Sequence, residues 1–133
     1  MIGIDTNVLL RQTLEDDADQ SPRAIAFIDS AERLADPVLV NPIVLIEFVW
    51  TLMRRQRFDK AQVLALIDVM IASPHIVFSD EEAVTAAVDA WRHGPAGLQD
   101  YLIGSLNRRA GARTTLTFDS RAARHPDFTP MPV

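Results

Sequence analysis

VLVNPIVLIEFVWTLMRR, residues 38–55, changes its periodicity part-way along and so decides the fold class. Val38–Val40 is a short β-branched and apolar run, the composition of a strand. Asn41-Pro42 then makes a helix start, with Asn as N-cap and Pro at the first helical position, where a missing N–H costs nothing. From Ile43 to Arg54 the pattern is helical and apolar almost all round, interrupted by a single acid, Glu47. Thr51, Arg54 and Arg55 fall near that acid at helical spacing, which leaves room for one polar stripe facing water.

The same alternation extends in both directions. Met1–Ile4 reads as a strand ending in the helix start Asp5-Thr6-Asn7. Ser21-Pro22 has the cap-plus-proline form, with apolar residues following at Ile25, Ile28 and Leu34. Asp59 with Gln62 begins a further helix that carries Val63, Leu66, Ile67 and Met70. His75–Phe78 is a third strand. Ser79 and Glu82 have capping-box spacing for a helix to about Trp91. The Gly94-Pro95 break precedes a helix from about Leu98 to Ala110, stopped by Gly111. Thr114–Phe118 is the clearest strand by composition, and a short edge strand after Asp127 would tolerate its prolines. Strands alternating with helices imply an α/β fold, a parallel sheet with helices on both faces, whose ligands gather beyond the carboxyl ends of the strands.

Bulk properties narrow the function. The chain has 133 residues, 48% of them hydrophobic, enough for one core and too apolar for disorder. It has no cysteine, which removes disulfides and thiolate metal sites. No basic region precedes the first apolar run, and no uncharged stretch is long enough to span a bilayer, so a soluble, cytoplasmic protein without membrane association is expected. The net charge of −5 argues against nucleic acid at first sight, but acids engaged with cations would leave the rest of the chain close to neutral. Lys60 is the only lysine; all other basic side chains are arginine, suited to bidentate phosphate contacts but also what a GC-rich genome would produce.

Four acids stand where chemistry is expected. Asp5 and Asp119 each follow a strand, Glu47 lies early in a helix, and Asp100 lies in a first turn. Singly, each has a structural explanation as a cap, a turn former or a partner of the helix dipole. Jointly, an all-oxygen set selects hard cations, Mg²⁺ or Mn²⁺ over Zn²⁺, with histidine sparse and cysteine absent. Like charges within about 5 Å repel unless a cation or arginine neutralises them.

Four segments in this order, IGIDTNVLLR, NPIVLIEFVWTL, LQDYLIGSLNRRAGA and TLTFDSRAAR, resemble those of PIN-domain proteins, and most closely the VapC toxins of bacterial toxin–antitoxin pairs. The resemblance covers essentially the whole chain and implies one nuclease domain over residues 1–133 with a three-layer α/β/α fold and a central parallel sheet. It implies Mg²⁺- or Mn²⁺-dependent endonucleolytic cleavage of RNA, often structured RNA such as tRNA, and also a homodimer and a cognate VapB-like antitoxin. Asp5 and Asp100 match the family's principal metal ligands. Glu47 and Asp119 match its other acids, which hold a second metal or orient the attacking water. Thr6, Asn7 and Thr117 match polar positions beside the acids. Arg11, Arg108, Arg109 and Arg121 are candidates for holding flanking phosphates. In-line attack by water would leave a 5′-phosphate and a 3′-hydroxyl. Two positions depart from the pattern: Gly97 and Arg121 stand where many members carry further acids, which would weaken a second metal site.

Two other readings compete. One is a catalytically silent PIN module that captures RNA or a protein partner. The other is a haloacid-dehalogenase-like phosphohydrolase with Asp5 as nucleophile, disfavoured because Asn7 replaces the usual second Asp and no suitable lysine exists. His75, His93 and His125 lack metal-ligand spacing, and no glycine-rich phosphate loop occurs.

Overall fold

The structure, a computed structural model, describes residues 1–133, which divide into two units, residues 1–79 and 80–133. In the first, β1 (Ile2–Gly3), β2 (Val38–Val40) and β3 (Ile76–Phe78) form a parallel sheet in the order β1-β2-β3. Its register pairs Ile2 with Val38, and Val38 with Ile76. Helices α1 (Thr6–Leu14) and α2 (Gln20–Arg33) connect β1 to β2, and α3 (Pro42–Arg54) and α4 (Lys60–Ala72) connect β2 to β3.

Local chemistry sets three of these helix starts. Asp5, in extended backbone after β1, accepts the N–H of Val8 at 3.1 Å. Asn41 does the same for Val44 at 3.0 Å, followed by Pro42. Asp59 and Gln62 form a reciprocal capping box, at 2.8 and 2.9 Å. Each cap satisfies helix donors that have no partner within the helix. The buried stripe Val44, Leu45, Phe48, Val49 and Leu52 turns α3 into the core, where Val63 and Ile67 of α4 are also fully buried. Spacing of three and four residues keeps such a stripe on one helical face.

The start of α2 corrects the sequence reading. Ser21 is not its cap but a buried residue inside the helix. The Asp17 carboxylate accepts the N–H groups of Asp19 and Gln20 at 3.0 and 2.7 Å, and Ser21 Oγ accepts the N–H of Asp17. An ionised acceptor one turn earlier outcompetes the hydroxyl for the free donors. Those backbone donors hold the Asp17 carboxyl below its usual range, Gln20 contributing most. Of the expected apolar positions in this helix, Ile28 is buried, whereas Leu34 sits exposed at the C-cap.

In the second unit α5 (Glu81–His93) packs against α6 (Leu98–Arg109), and β4 (Thr115–Thr117) pairs in parallel with β5 (Phe128–Pro130). A single 3₁₀ turn, Ala122–Arg124, lies between the two strands. Small residues allow the helix contact: Ala83 and Ala87 are buried on α5, and Ser105 Oγ of α6 donates to the Ala83 carbonyl at 2.9 Å. Gly104 of α6 leaves space for the Phe128 ring. Ser79 does not cap α5 but stands one residue before the cap position, where its N–H bonds the Val40 carbonyl and extends the sheet. Asp80, in left-handed backbone with φ 53°, starts the helix instead. Past α6, Gly111 takes φ 103°, a value that favours glycine, as the sequence predicts for the stop.

Every strand pair is parallel, as expected, but the strands are shorter than composition suggests and form a three-stranded and a two-stranded sheet. Leu116 and Phe118, the apolar residues of the clearest strand by composition, are exposed. The edge strand expected after Asp127 is present as β5, with Met131 N–H bonding the Thr117 carbonyl at 2.8 Å.

Candidate active site

Asp5 stands at the carboxyl end of β1, where its cap of α1 uses Oδ1 and leaves Oδ2 available. It lines a cavity of about 650 Å³ together with Thr6, Asn7, Glu47, Trp50, Thr51 and Arg55. Two of the four acids therefore meet in one cavity, one placed by a strand end and the other by the solvent-facing stripe of α3. Both are exposed. Asp5 and Asn7 also line a neighbouring groove of about 750 Å³ that includes Arg11, Gln20, Arg23 and Phe27.

The other two acids belong to the second unit. Asp100, half-buried in the first turn of α6, accepts the Gly97 N–H at 3.1 Å through Oδ2. Asp119 follows β4 and accepts the N–H groups of Arg121 and Ala122 through Oδ1, at 2.8 and 3.4 Å. The Arg121 N–H dominates in holding the Asp119 carboxyl below its ordinary value; burial opposes it, and the Ala122 N–H and the Arg121 guanidinium add smaller lowering effects. Thr117 supports this turn, its Oγ1 accepting the Asp119 N–H at 3.0 Å. Thr6 and Asn7 lie in the first turn of α1 and reach the cavity beside Asp5.

No group of three or more His, Asp or Glu side chains is arranged to hold a metal ion. Asp5 and Asp100 each keep one carboxylate oxygen outside their backbone hydrogen bonds, and carboxylate oxygen is the donor type that hard divalent cations favour.

The four arginines proposed to hold phosphate are engaged within the protein. Arg11 bonds Gln20 and Asp16, at 2.8 and 3.0 Å. Arg108 pairs with Asp127 at 2.8 Å, and Arg109 bridges Asp80 and Glu82. Arg121 is the most loosely held of those with an acid partner at the site, 3.6 Å from Asp119. The sequence reading passed over Trp50, which it grouped with the apolar run of α3. The residue is 53% exposed and lines the cavity, with the Arg55 guanidinium 5.8 Å from the ring centroid. The available clue was its position three residues after Glu47, on the same helical stripe.

Parallel strands with carboxylates just beyond their ends and in first helical turns make an α/β domain whose ligand site is expected at that edge. The family model for the PIN domain matches residues 2–127, a span that takes in most of both units, and the chain belongs to that family. Its fold class is accordingly the α/β/α class of PIN domains, which are generally nucleases and typically use divalent metals. No curated protein matches the sequence significantly. No helix is long and apolar enough to cross a membrane.

Proposed function

We propose that this chain is a Mg²⁺- or Mn²⁺-dependent endoribonuclease, one nuclease domain over residues 1–133, and the toxin of a VapBC-type toxin–antitoxin pair. In this reading it acts in the cytoplasm as a homodimer, cleaves structured RNA, and is held inactive by a VapB-like antitoxin. The observation that carries the reading is the shared cavity of Asp5 and Glu47 in a chain of the PIN family.

Asp5, Asp100 and Asp119 would supply the carboxylates for the cation, and Glu47 would orient the attacking water. A divalent cation there contributes charge neutralisation at the phosphate and acidification of water. Asp5 is pre-positioned by its cap, which fixes the direction of its free oxygen. Thr117 steadies the Asp119 turn, and Thr6 and Asn7 add polar contacts beside Asp5. Arg121, 62% exposed at its side chain, is the member of the arginine set best placed to exchange its internal partner for a phosphate.

The test is incubation of the purified chain with total cellular RNA, with and without Mg²⁺ or Mn²⁺, followed by mapping of new 5′ ends. Cation-dependent cleavage that disappears in Asp5→Asn supports the reading. Cation binding without turnover would favour the catalytically silent RNA- or partner-binding module instead.

A further inference from the structure

Trp50 is the one large aromatic side chain in the cavity of Asp5 and Glu47, and more than half of it is open to solvent. Its surroundings are mixed, with Asn7, Glu47, Thr51 and Arg55 beside the apolar Leu10 and Ile46. Unlike Arg11, Arg108, Arg109 and Arg121, Arg55 pairs with no carboxylate and instead lies over the indole, 5.8 Å from the ring centroid. Glu47 and Trp50 are three apart on α3, so their Cβ atoms are neighbours, about 5–6 Å apart by helix geometry. The cavity's volume of about 650 Å³ is that of a small-molecule site.

We propose that Trp50 and Arg55 form the nucleotide-binding element of this site, the indole stacking one unpaired base and the guanidinium holding an adjacent phosphate. An indole accepts any base, because every base presents a π-face, and arginine over an aromatic ring adds a cation for the backbone. A base stacked there lies beside Glu47, one helical turn away, in the cavity that Asp5 also lines. Base-paired RNA cannot use such a platform, since its bases are already stacked within the helix. The acids argue against a protein partner: Asp5 and Glu47 line the same cavity, and Asp and Glu are depleted from protein–protein contacts even though Trp and Arg are not. The proposal rests on the nuclease reading for what the bound nucleotide is for, but not for the binding itself.

The test uses the full chain carrying Asp5→Asn, in EDTA, with an eight-nucleotide oligoadenylate and a blunt-ended RNA duplex of the same length. Trp91 is buried, so quenching on binding reports Trp50, and Trp50→Phe checks that assignment. Single strands are expected to quench and duplexes not. Trp50→Ala should weaken single-strand affinity roughly 5- to 150-fold, with Trp50→Phe in between. Arg55→Ala should lower the salt-dependence slope of binding by about 0.7, the share of one phosphate contact. Trp50→Phe keeps the proposal testable should the alanine variant fold poorly. Unchanged affinity in Trp50→Ala, equal quenching by duplex, or a change in sedimentation alone would overturn the proposal, the last marking Trp50 as a protein contact. Binding through Trp50 in a chain that never cleaves RNA sustains this element and removes the nuclease reading. Wild-type cleavage by a folded Trp50→Ala chain with unchanged RNA affinity does the reverse.

Discussion

Arg109, in the last turn of α6, bridges Asp80 and Glu82 at the start of α5, with its Nη1 2.5 Å from the Glu82 carboxylate. The two acids hold its guanidinium firmly protonated, the bond to Asp80 contributing most. This arginine therefore ties one helix to the next. Arg109→Ala is expected to lower the melting temperature of the chain while leaving its affinity for single-stranded RNA within about twofold, the scatter of an ordinary surface substitution. A loss of RNA affinity tenfold or greater at unchanged melting temperature would return Arg109 to the phosphate-holding set.

Asp5 caps α1, and in the proposed reading it also holds the cation. Asparagine caps a helix as well as aspartate, whereas alanine does not. Asp5→Asn should abolish cleavage with no measurable loss of stability. Asp5→Ala should abolish it and also cost about 1 kcal/mol through α1. Urea denaturation of both variants beside an RNA cleavage assay separates the charge from the cap.

The Asp119 carboxyl, held below its ordinary value of 3.8 by backbone donors, makes a pH-dependent contribution. A carboxyl whose pKa is lower folded than unfolded stabilises the chain above the unfolded value, and this is lost as pH falls through the folded one. Wild-type and Asp119→Asn urea midpoints should therefore differ most near neutrality and converge below about pH 3.8. A gap that widens toward acid would contradict the stated cause.

Gathering several carboxylates around one cation relieves their mutual repulsion, so cation binding should stabilise the folded chain. Mn²⁺ at a hundred times its dissociation constant would add about 2.7 kcal/mol. A thermal shift that rises with Mn²⁺ concentration is expected for the wild type, and none for Asp100→Asn. An identical shift in both would remove Asp100 from the ligand set.

Gly104 is a packing glycine. A Cβ built there comes within 2.6 Å of the ring of Phe128, which is itself buried. Gly104→Ala gains about 1 kcal/mol in helix propensity, but overpacking costs about 1–3 kcal/mol. The net expectation is destabilisation, read as a lower urea midpoint with loss of the β4–β5 amide protection in hydrogen exchange.

Much of this protein was legible from residue order because the deciding interactions are local. The starts of α1, α3 and α4 each depend on a side chain bonding an N–H three residues on, a distance that connectivity alone sets. The βα alternation and the Gly111 stop follow from equally short-range preferences. Even so, local signals misled at Ser21, where Asp17 offered the stronger acceptor, and at Ser79, which the sheet holds one residue before the helix cap. The candidate site is another matter. That Glu47 faces the cavity of Asp5, that Trp50 stays open beneath Arg55, and that Arg108 and Arg109 are occupied by Asp127 and Asp80 all depend on packing between remote segments. An amphiphilic residue such as Trp has no preferred side of the surface until its neighbours arrive, and a charge has no partner until the fold brings one within about 4 Å.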